Sequence, residues 1–263
     1  MSAPLSEILE TIKNLYTSED SYKIDVNEPE ETTDIPEIHR GTVDNPFLYD
    51  ATVPELEKFL LVNMFVAGKN ASVQQIKLDQ FINCARRDLG DYVVDTLGIL
   101  SAIHNTLSLA EVNDKVLEWL KEVKAGQYTR LTNGIVQLAT SIGSGAIDLK
   151  CCSRVDLVKI KGIGLKTASM FLMYTRRNSQ FACLDTHILK YLREEVGTEN
   201  VPLTTPSVKN EYVRLETIFR DCARQANKPI AVLDFEIWSR YRQKVDAPAD
   251  VAAQPAAVEA LAM

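Results

Sequence analysis

The amino-acid sequence predicts an all-α protein, and three observations carry that prediction. Apolar residues recur at helical spacing along most of the 263 residues. Three Ser/Thr-x-x-Glu/Gln patterns mark helix starts. No stretch of period-two alternation competes with them.

A first helix is expected from Ser6 to Tyr16. The acidic, proline-containing run SEDSYKIDVNEPEETTDIPE, residues 18–37, reads as part of an extended arm or linker. Thr52-Val53-Pro54-Glu55 should cap PELEKFLLVNMFVA, a helix apolar on most faces and therefore central. Ser72 to Gln75 should cap QQIKLDQFINCARR, and Ser108 to Glu111 the helix running through Trp119. Further helices fit 129–142, 153–159, 166–175, 186–195, 206–226 and 230–242. The Ala/Pro-rich end, DAPADVAAQPAAVEALAM, reads as loosely ordered. The layout expected is an N-terminal helix over 1–17, an arm over 18–51, a helical domain over 52–242 with its hairpin unit at 153–175, and a tail over 243–263.

With 46% apolar residues the chain can bury a core of one domain or two closely packed lobes. No apolar run approaches twenty residues, so no membrane span is expected. The N-terminus carries acids within an amphipathic pattern and lacks a basic-then-apolar leader, which points to the cytoplasm. Cys84, Cys151, Cys152, Cys183 and Cys222 show no CxxC spacing; they read as buried thiols, with no metal site. The net charge of −7 argues against wholesale nucleic-acid binding. Its distribution argues otherwise. Between Lys150 and Arg193 nine basic residues face only Asp156 and Asp185, a local basic zone suited to a modest phosphate footprint.

Within that zone lies IKGIGLKTASMFL, residues 160–172. Two glycines flanking Ile163 permit a sharp turn, and the helix that follows opens near Lys166, with Ala168, Phe171 and Leu172 at core spacing. The short helical stretch SRVDLVKI precedes the turn, so the unit reads helix, hairpin, helix. Amides in such a turn and at the helix start are unpaired donors able to surround a phosphate, with Lys161 adding a point charge. A tight helix–helix turn with no ligand is the alternative that a GxG alone would allow. The next segment, FACLDTHILKYL, residues 181–192, puts Asp185 at a helix N-cap.

Together KGIGLKTASMFL and LDTHILKYL resemble the helix-hairpin-helix, Gly/Pro-loop, Asp superfamily of DNA glycosylases. The resemblance extends more weakly to YVRLETIFRDCARQANKPIAVLDFEIW, and so covers about Tyr128 to Trp238. It implies a two-lobed, glycosylase-like helical fold whose hairpin holds DNA through Lys161, Gly162, Ile163, Gly164 and Thr167. In the endonuclease III and 8-oxoguanine branches the lysine and aspartate at the positions of Lys166 and Asp185 are catalytic. The resemblance thus implies a bifunctional DNA glycosylase/AP lyase that flips a modified base out of the duplex.

The chemistry is consistent with elementary physics. A helix N-terminus disfavours an ammonium, and a neutral amine there can attack the sugar C1′, displace the base and leave a Schiff base. A carboxylate opposite would stabilise positive charge on the sugar. Asp185 can also serve simply as an N-cap, worth ~1 kcal/mol, and Lys166 as a phosphate contact. The base pocket is expected between the hairpin lobe and the first helices, bordered by Lys69, Asn70 and Gln75, with His187 facing the cleft or the DNA backbone. His39 and His104 carry no sharper reading, and Trp238 reads as core.

The chain departs from the superfamily in three places. The four-cysteine array of endonuclease III is missing, so no iron–sulfur cluster or other cofactor is expected. SRYRQKVDAPAD does not reproduce the lysine-bearing tail of archaeal-type oxoguanine enzymes, and Gly68-Lys69-Asn70 replaces a Gln-Thr type sequence. Two alternatives therefore stand beside the glycosylase. VAGKNA, LDTHILKYL and VPLTTPSVKNEY look like the bacteriophage clade that builds hypermodified thymine, the amino acid:DNA transferases and thymine pyrophosphorylase-like proteins. There the base would be a pyrophosphorylated 5-hydroxymethyluracil, with Lys69 facing the leaving phosphates. The other alternative is a non-catalytic DNA-binding module. In each case the partner is DNA and the expected form is a monomer, in a bacterial or phage-infected cell.

Overall fold

Eleven helices and no strand make up the described residues, 48–246, of this computed structural model, the side chains of Ser72 and of 242–246 excepted. The helix expected at 6–16, most of the arm and the tail lie outside the described residues. The all-α expectation holds.

Helix α1 (Val53–Val66) starts at the expected capping box: Thr52 N and Oγ1 each donate to Glu55 Oε2 at 2.7 Å. It buries Leu56, Leu60, Leu61, Met64 and Phe65, which makes it central as its apolar faces require. Helix α2 (Ala71–Leu89) begins earlier than expected. Its cap is Asn70 rather than Ser72, with Asn70 Oδ1 accepting from Val73 N at 3.1 Å. Asparagine caps as well as serine, and Asn70 already has the extended backbone a cap needs.

Two helices escaped the sequence pattern, α3 (Asp91–Leu97) and α4 (Ile99–Thr106). Gly90 (φ 96°) and Gly98 (φ 91°) cut this region into pieces too short to display a helical period. No local side chain caps α4. The cap comes from α1 instead: fully buried Glu57 accepts Leu100 N and Ser101 Oγ at 2.6 Å each, and Ser101 N at 3.3 Å. Helix α5 (Val112–Glu122) forms one turn beyond the Ser108–Glu111 pair, which bonds as a box but bends into a turn.

The remaining helices follow expectation within a few residues: α6 (Tyr128–Gly143), α7 (Arg154–Val158), α8 (Leu165–Thr175), α9 (Thr186–Glu194), α10 (Lys209–Gln225) and α11 (Ile230–Asp246). Ser153 and Asp156 form a reciprocal capping box that fixes the start of α7.

Two hydrophobic cores give the fold its two lobes. One gathers residues from Leu56 to Leu172 together with Phe181; the other gathers Met173 to Tyr241. Helix α8 crosses between them, placing Phe171 and Leu172 in the first and Met173 and Tyr174 in the second. Phe59 of α1 packs against both cores, with ring centroids 6.2 Å from Phe171 and 6.2 Å from Tyr174. The seam between the lobes therefore runs beside α8, the helix that carries Lys166.

Candidate functional site

The hairpin is held from beneath by α6. Arg130 donates from Nη2 to Met64 O at 2.7 Å and from Nη1 to Gly162 O at 3.3 Å, while Nε donates to Gln127 Oε1 at 2.6 Å. Gln137 grips both sides of the same turn, donating to Lys159 O at 3.2 Å and accepting Lys161 N at 2.9 Å. Gly134 allows the close approach: a Cβ there would stand 2.6 Å from Lys161 O and 2.6 Å from Met64 Cε.

These contacts fix the turn by its inner groups and leave the outer ones open. Gly162, at φ +85°, is exposed, as are Lys161 and Gly164. Ile163 buries its side chain in the first core, at 4% exposure, so it can offer a ligand only its backbone. Gly164 caps α8 without a side chain, none is supplied by the other described residues, and a Cβ on it would meet nothing within 4 Å. The first amides of α8 have no accepting side chain among the described residues and lie at the positive end of the helix dipole, an arrangement suited to an anion. Thr167 lies half-buried one residue past Lys166.

Along α8, Lys166, Met170 and Tyr174 stand at i, i+4 and i+8, on one face of the helix. Met170 and Tyr174 line a cavity of about 200 Å³ at the lobe seam, completed by Phe59, Cys183, Asp185, Asp234, Phe235 and Trp238. Its walls are largely aromatic and apolar, and its polar groups are few. Lys166 does not line the cavity itself. It sits half-buried at the same face, close enough for its charge to act on Cys183 and Asp234, both of which do.

Asp185 caps α9, with Oδ1 accepting His187 N and Ile188 N at 2.9 Å each. Its Oδ2 takes no hydrogen bond from the described residues. The carboxylate is therefore anchored through one oxygen at the cavity wall, and capping leaves the second oxygen available.

Asp234 went unnoticed in the sequence. It is 6% exposed, accepts the Tyr174 phenol through Oδ2 at 2.8 Å, and leaves Oδ1 without a hydrogen-bond partner. Burial first, and then the neighbouring Asp185 charge, push its carboxyl well above the usual carboxylate range. A buried carboxyl with one oxygen unpartnered at a cavity wall is a hydrogen-bonding group open to a ligand. The signal available was an acid inside the apolar pattern of IAVLDFEIW; only the fold puts it opposite Asp185.

The other expected residues are placed elsewhere. Lys69 donates Nζ to Ala125 O at 2.6 Å, and burial lowers its proton affinity. Asn70 is occupied as the α2 cap, and Gln75 is half-buried on the first turns of α2. His187, half-buried, stacks on Tyr241 of α11, with centroids 6.0 Å apart. None of these four lines the cavity. Trp238, expected in the core, is half-buried instead and lines the cavity beside Phe235, its ring 6.4 Å away. Its place midway along α11, on the side facing the cavity at the lobe seam, is what takes it out of the core. Among the described residues no group of three or more His, Cys, Asp or Glu is placed to hold a metal ion. No helix among them is long and apolar enough to cross a membrane.

Known proteins share this architecture. An 8-oxoguanine DNA glycosylase/AP lyase from Metallosphaera sedula is 35% identical over 89 residues, 33% of this chain and 40% of the relative. One from Saccharolobus islandicus is 34% identical over 91 residues, 33% of this chain and 41% of the relative. The chain thus matches about two fifths of the length of these curated relatives. The Methanocaldococcus jannaschii 8-oxoguanine glycosylase/lyase, solved with a 15mer DNA containing 8-oxoguanine, superposes with a TM-score of 0.51 at 25% identity, covering 74% of this chain and 84% of that one. Another structure of the 8-oxoguanine DNA glycosylase from that organism superposes at 0.52 and 22% identity, covering 90% and 94%, and shows the shared fold. Residues 97–228, half of the sequence, match the family model Ogg-HhH, described as 8-oxoguanine DNA glycosylase. The chain belongs to this helix-hairpin-helix family of 8-oxoguanine DNA glycosylases.

Proposed function

We propose that the protein is a DNA glycosylase with AP lyase activity that removes an oxidised purine, 8-oxoguanine, from DNA. The observation that carries the proposal is the shared face: the lysine opens the helix whose next two turns line an aromatic cavity, and the aspartate stands on that cavity's wall. The names of the relatives support the substrate.

Base chemistry requires that the nucleotide leave the duplex. The hairpin amides and Lys161 hold a backbone phosphate while the base enters between Phe59, Met170, Phe235 and Trp238. The Lys166 amine attacks C1′ and the N-glycosidic bond breaks, its electron pair leaving with the base, which takes up a proton. Asp185 stabilises positive charge on the sugar as that bond lengthens. Ring opening converts the amine adduct to an iminium. Loss of a C2′ proton then expels the 3′ phosphate, and water releases the lysine. Asp234, with Oδ1 unpartnered, hydrogen-bonds an edge of the flipped base. The reaction needs no metal and no cofactor, and the partner is DNA.

The transferase alternative depends on Lys69 at the reacting centre, and its Nζ is bonded to Ala125 O away from the cavity. The test is borohydride trapping on duplex DNA containing 8-oxoguanine. A covalent adduct that disappears in Lys166→Ala supports the reading. Salt-sensitive DNA binding with no adduct and no strand cleavage would leave a binding module in its place.

A further inference from the structure

Behind the cavity, four buried side chains tie the helix of Lys166 to the segment that presents Asp185. Arg154 and Glu216 form an ion pair at 2.8 Å with only 1% and 2% of their side chains exposed. Arg154 Nη1 also donates to Ser169 Oγ at 3.1 Å, three residues past Lys166 on α8. Glu216 Oε1 accepts Ala182 N at 2.8 Å, three residues before Asp185. Tyr212, fully buried on α10, donates to Ala182 O at 2.7 Å and accepts Leu184 N at 3.3 Å. The Arg154 guanidinium lies 4.2 Å from the centroid of Phe181, the residue that opens the segment.

A buried ion pair is a poor source of stability, since removing two charges from water offsets most of their attraction. Its value here is geometric. Residues 181–185 form no helix and no strand, so nothing regular fixes their course. Their peptide groups are bonded instead to side chains that also hold α8. Any shift of Ala182 or Leu184 would carry Asp185 with it, and misplacing a reacting group by about 1 Å can cost a hundredfold in rate.

We infer that Tyr212, Glu216 and Arg154 are positioning residues, which set the place of the Asp185 carboxylate relative to the Lys166 amine. The inference rests on the glycosylase reading. Asp185 is required to remove the base, whereas imine formation at a ready-made abasic aldehyde needs only the lysine amine.

Tyr212→Phe keeps the ring in its packing and removes the oxygen that holds Ala182 and Leu184. Two rates separate the possibilities, single-turnover excision of 8-oxoguanine at saturating enzyme and borohydride trapping on a pre-formed abasic site. The expected result is excision slowed about tenfold to a hundredfold with trapping unchanged. Parallel losses in both, or no loss in either, overturn the inference, because a merely destabilised protein loses both together. Should Tyr212→Phe fail to fold, Ser169→Ala, which removes the hydroxyl that Arg154 Nη1 bonds on α8, is held to the same split. If the unaltered protein neither excises nor traps, the glycosylase reading itself fails and this inference falls with it.

Discussion

The Tyr174 phenol donates to Asp234 Oδ2 at 2.8 Å, so the only unpartnered oxygen of that buried carboxyl is the other one, Oδ1, in the residue that walls the cavity. The pair explains itself if something else is to be bonded there. Tyr174 fixes the orientation of a group whose proton affinity burial raises, and its helix fixes Tyr174. Asp234→Asn preserves an acceptor for the phenol and a donor for a base, and should retain excision of 8-oxoguanine within a few-fold. Asp234→Ala should lower kcat/KM by about tenfold or more, the equivalent of one buried hydrogen bond to the ligand, ~1.4 kcal/mol. Steady-state excision on the two variants checks this; equal activity in both would remove Asp234 from base recognition.

Gly164 and Gly162 separate DNA binding from folding. A Cβ at Gly164 meets no atom within 4 Å, and the backbone there is at φ −96°, so Gly164→Ala should melt like the parent. A methyl at the start of α8 would crowd a phosphate held by its first amides, and duplex affinity should fall about tenfold. Gly162→Ala is different: its backbone is at φ +85° and its Cβ would lie 2.9 Å from Arg130 Cγ. It should cost on the order of 1–2 kcal/mol of stability. Thermal melts and fluorescence anisotropy with duplex DNA distinguish the two. Unchanged affinity in Gly164→Ala would mean that the hairpin holds no phosphate.

Lys161 is exposed beside these amides and its own amide is bonded to Gln137, so the turn does not depend on its side chain. Lys161→Ala should leave the melting temperature alone and weaken binding to every duplex sequence alike. The slope of log K against log salt should become shallower by about 1, the release of roughly one counterion. Titrations at several salt concentrations read that slope directly.

The helix start beside Lys166 and the N-cap at Asp185 were legible because their surroundings are local. The glycines, the lysine and the N-cap aspartate lie within some twenty-five residues, and the chemistry of a turn and a cap is written in adjacent positions. Asp234 was not, because its meaning comes from Tyr174, sixty residues away. Arg130 and Gln137 likewise read as ordinary polar residues of α6 until they meet the hairpin from below. The same reason hid α4, whose cap is Glu57 on another helix. Lys69 and Asn70 misled in the opposite direction: their polar character is satisfied by Ala125 O and Val73 N, ordinary tasks at a helix junction. Trp238 shows that an aromatic in an apolar run can belong to a cavity wall as well as to a core.

Glu57 sets a pH dependence of stability independent of catalysis. Burial, opposed by its bonds to Ser101 and Leu100, raises its carboxyl from 4.5 to about 7. Below pH 4.5 the group is protonated both folded and unfolded, and its contribution is fully present. Between 4.5 and about 7 the unfolded chain releases the proton while the folded one keeps it, so stability falls as pH rises through that window. The loss is on the order of 3 kcal/mol and is complete above the folded value. Glu57→Gln retains an acceptor for Leu100 N and Ser101 N without the charge, and should abolish this slope while matching or exceeding the parent at pH 8. Urea denaturation at pH 5 and pH 8 for both proteins measures the difference. A parent whose stability changes no more than that of Glu57→Gln between those pH values would show that the α4 amides hold Glu57 as a carboxylate throughout, with its titration contributing nothing to the fold.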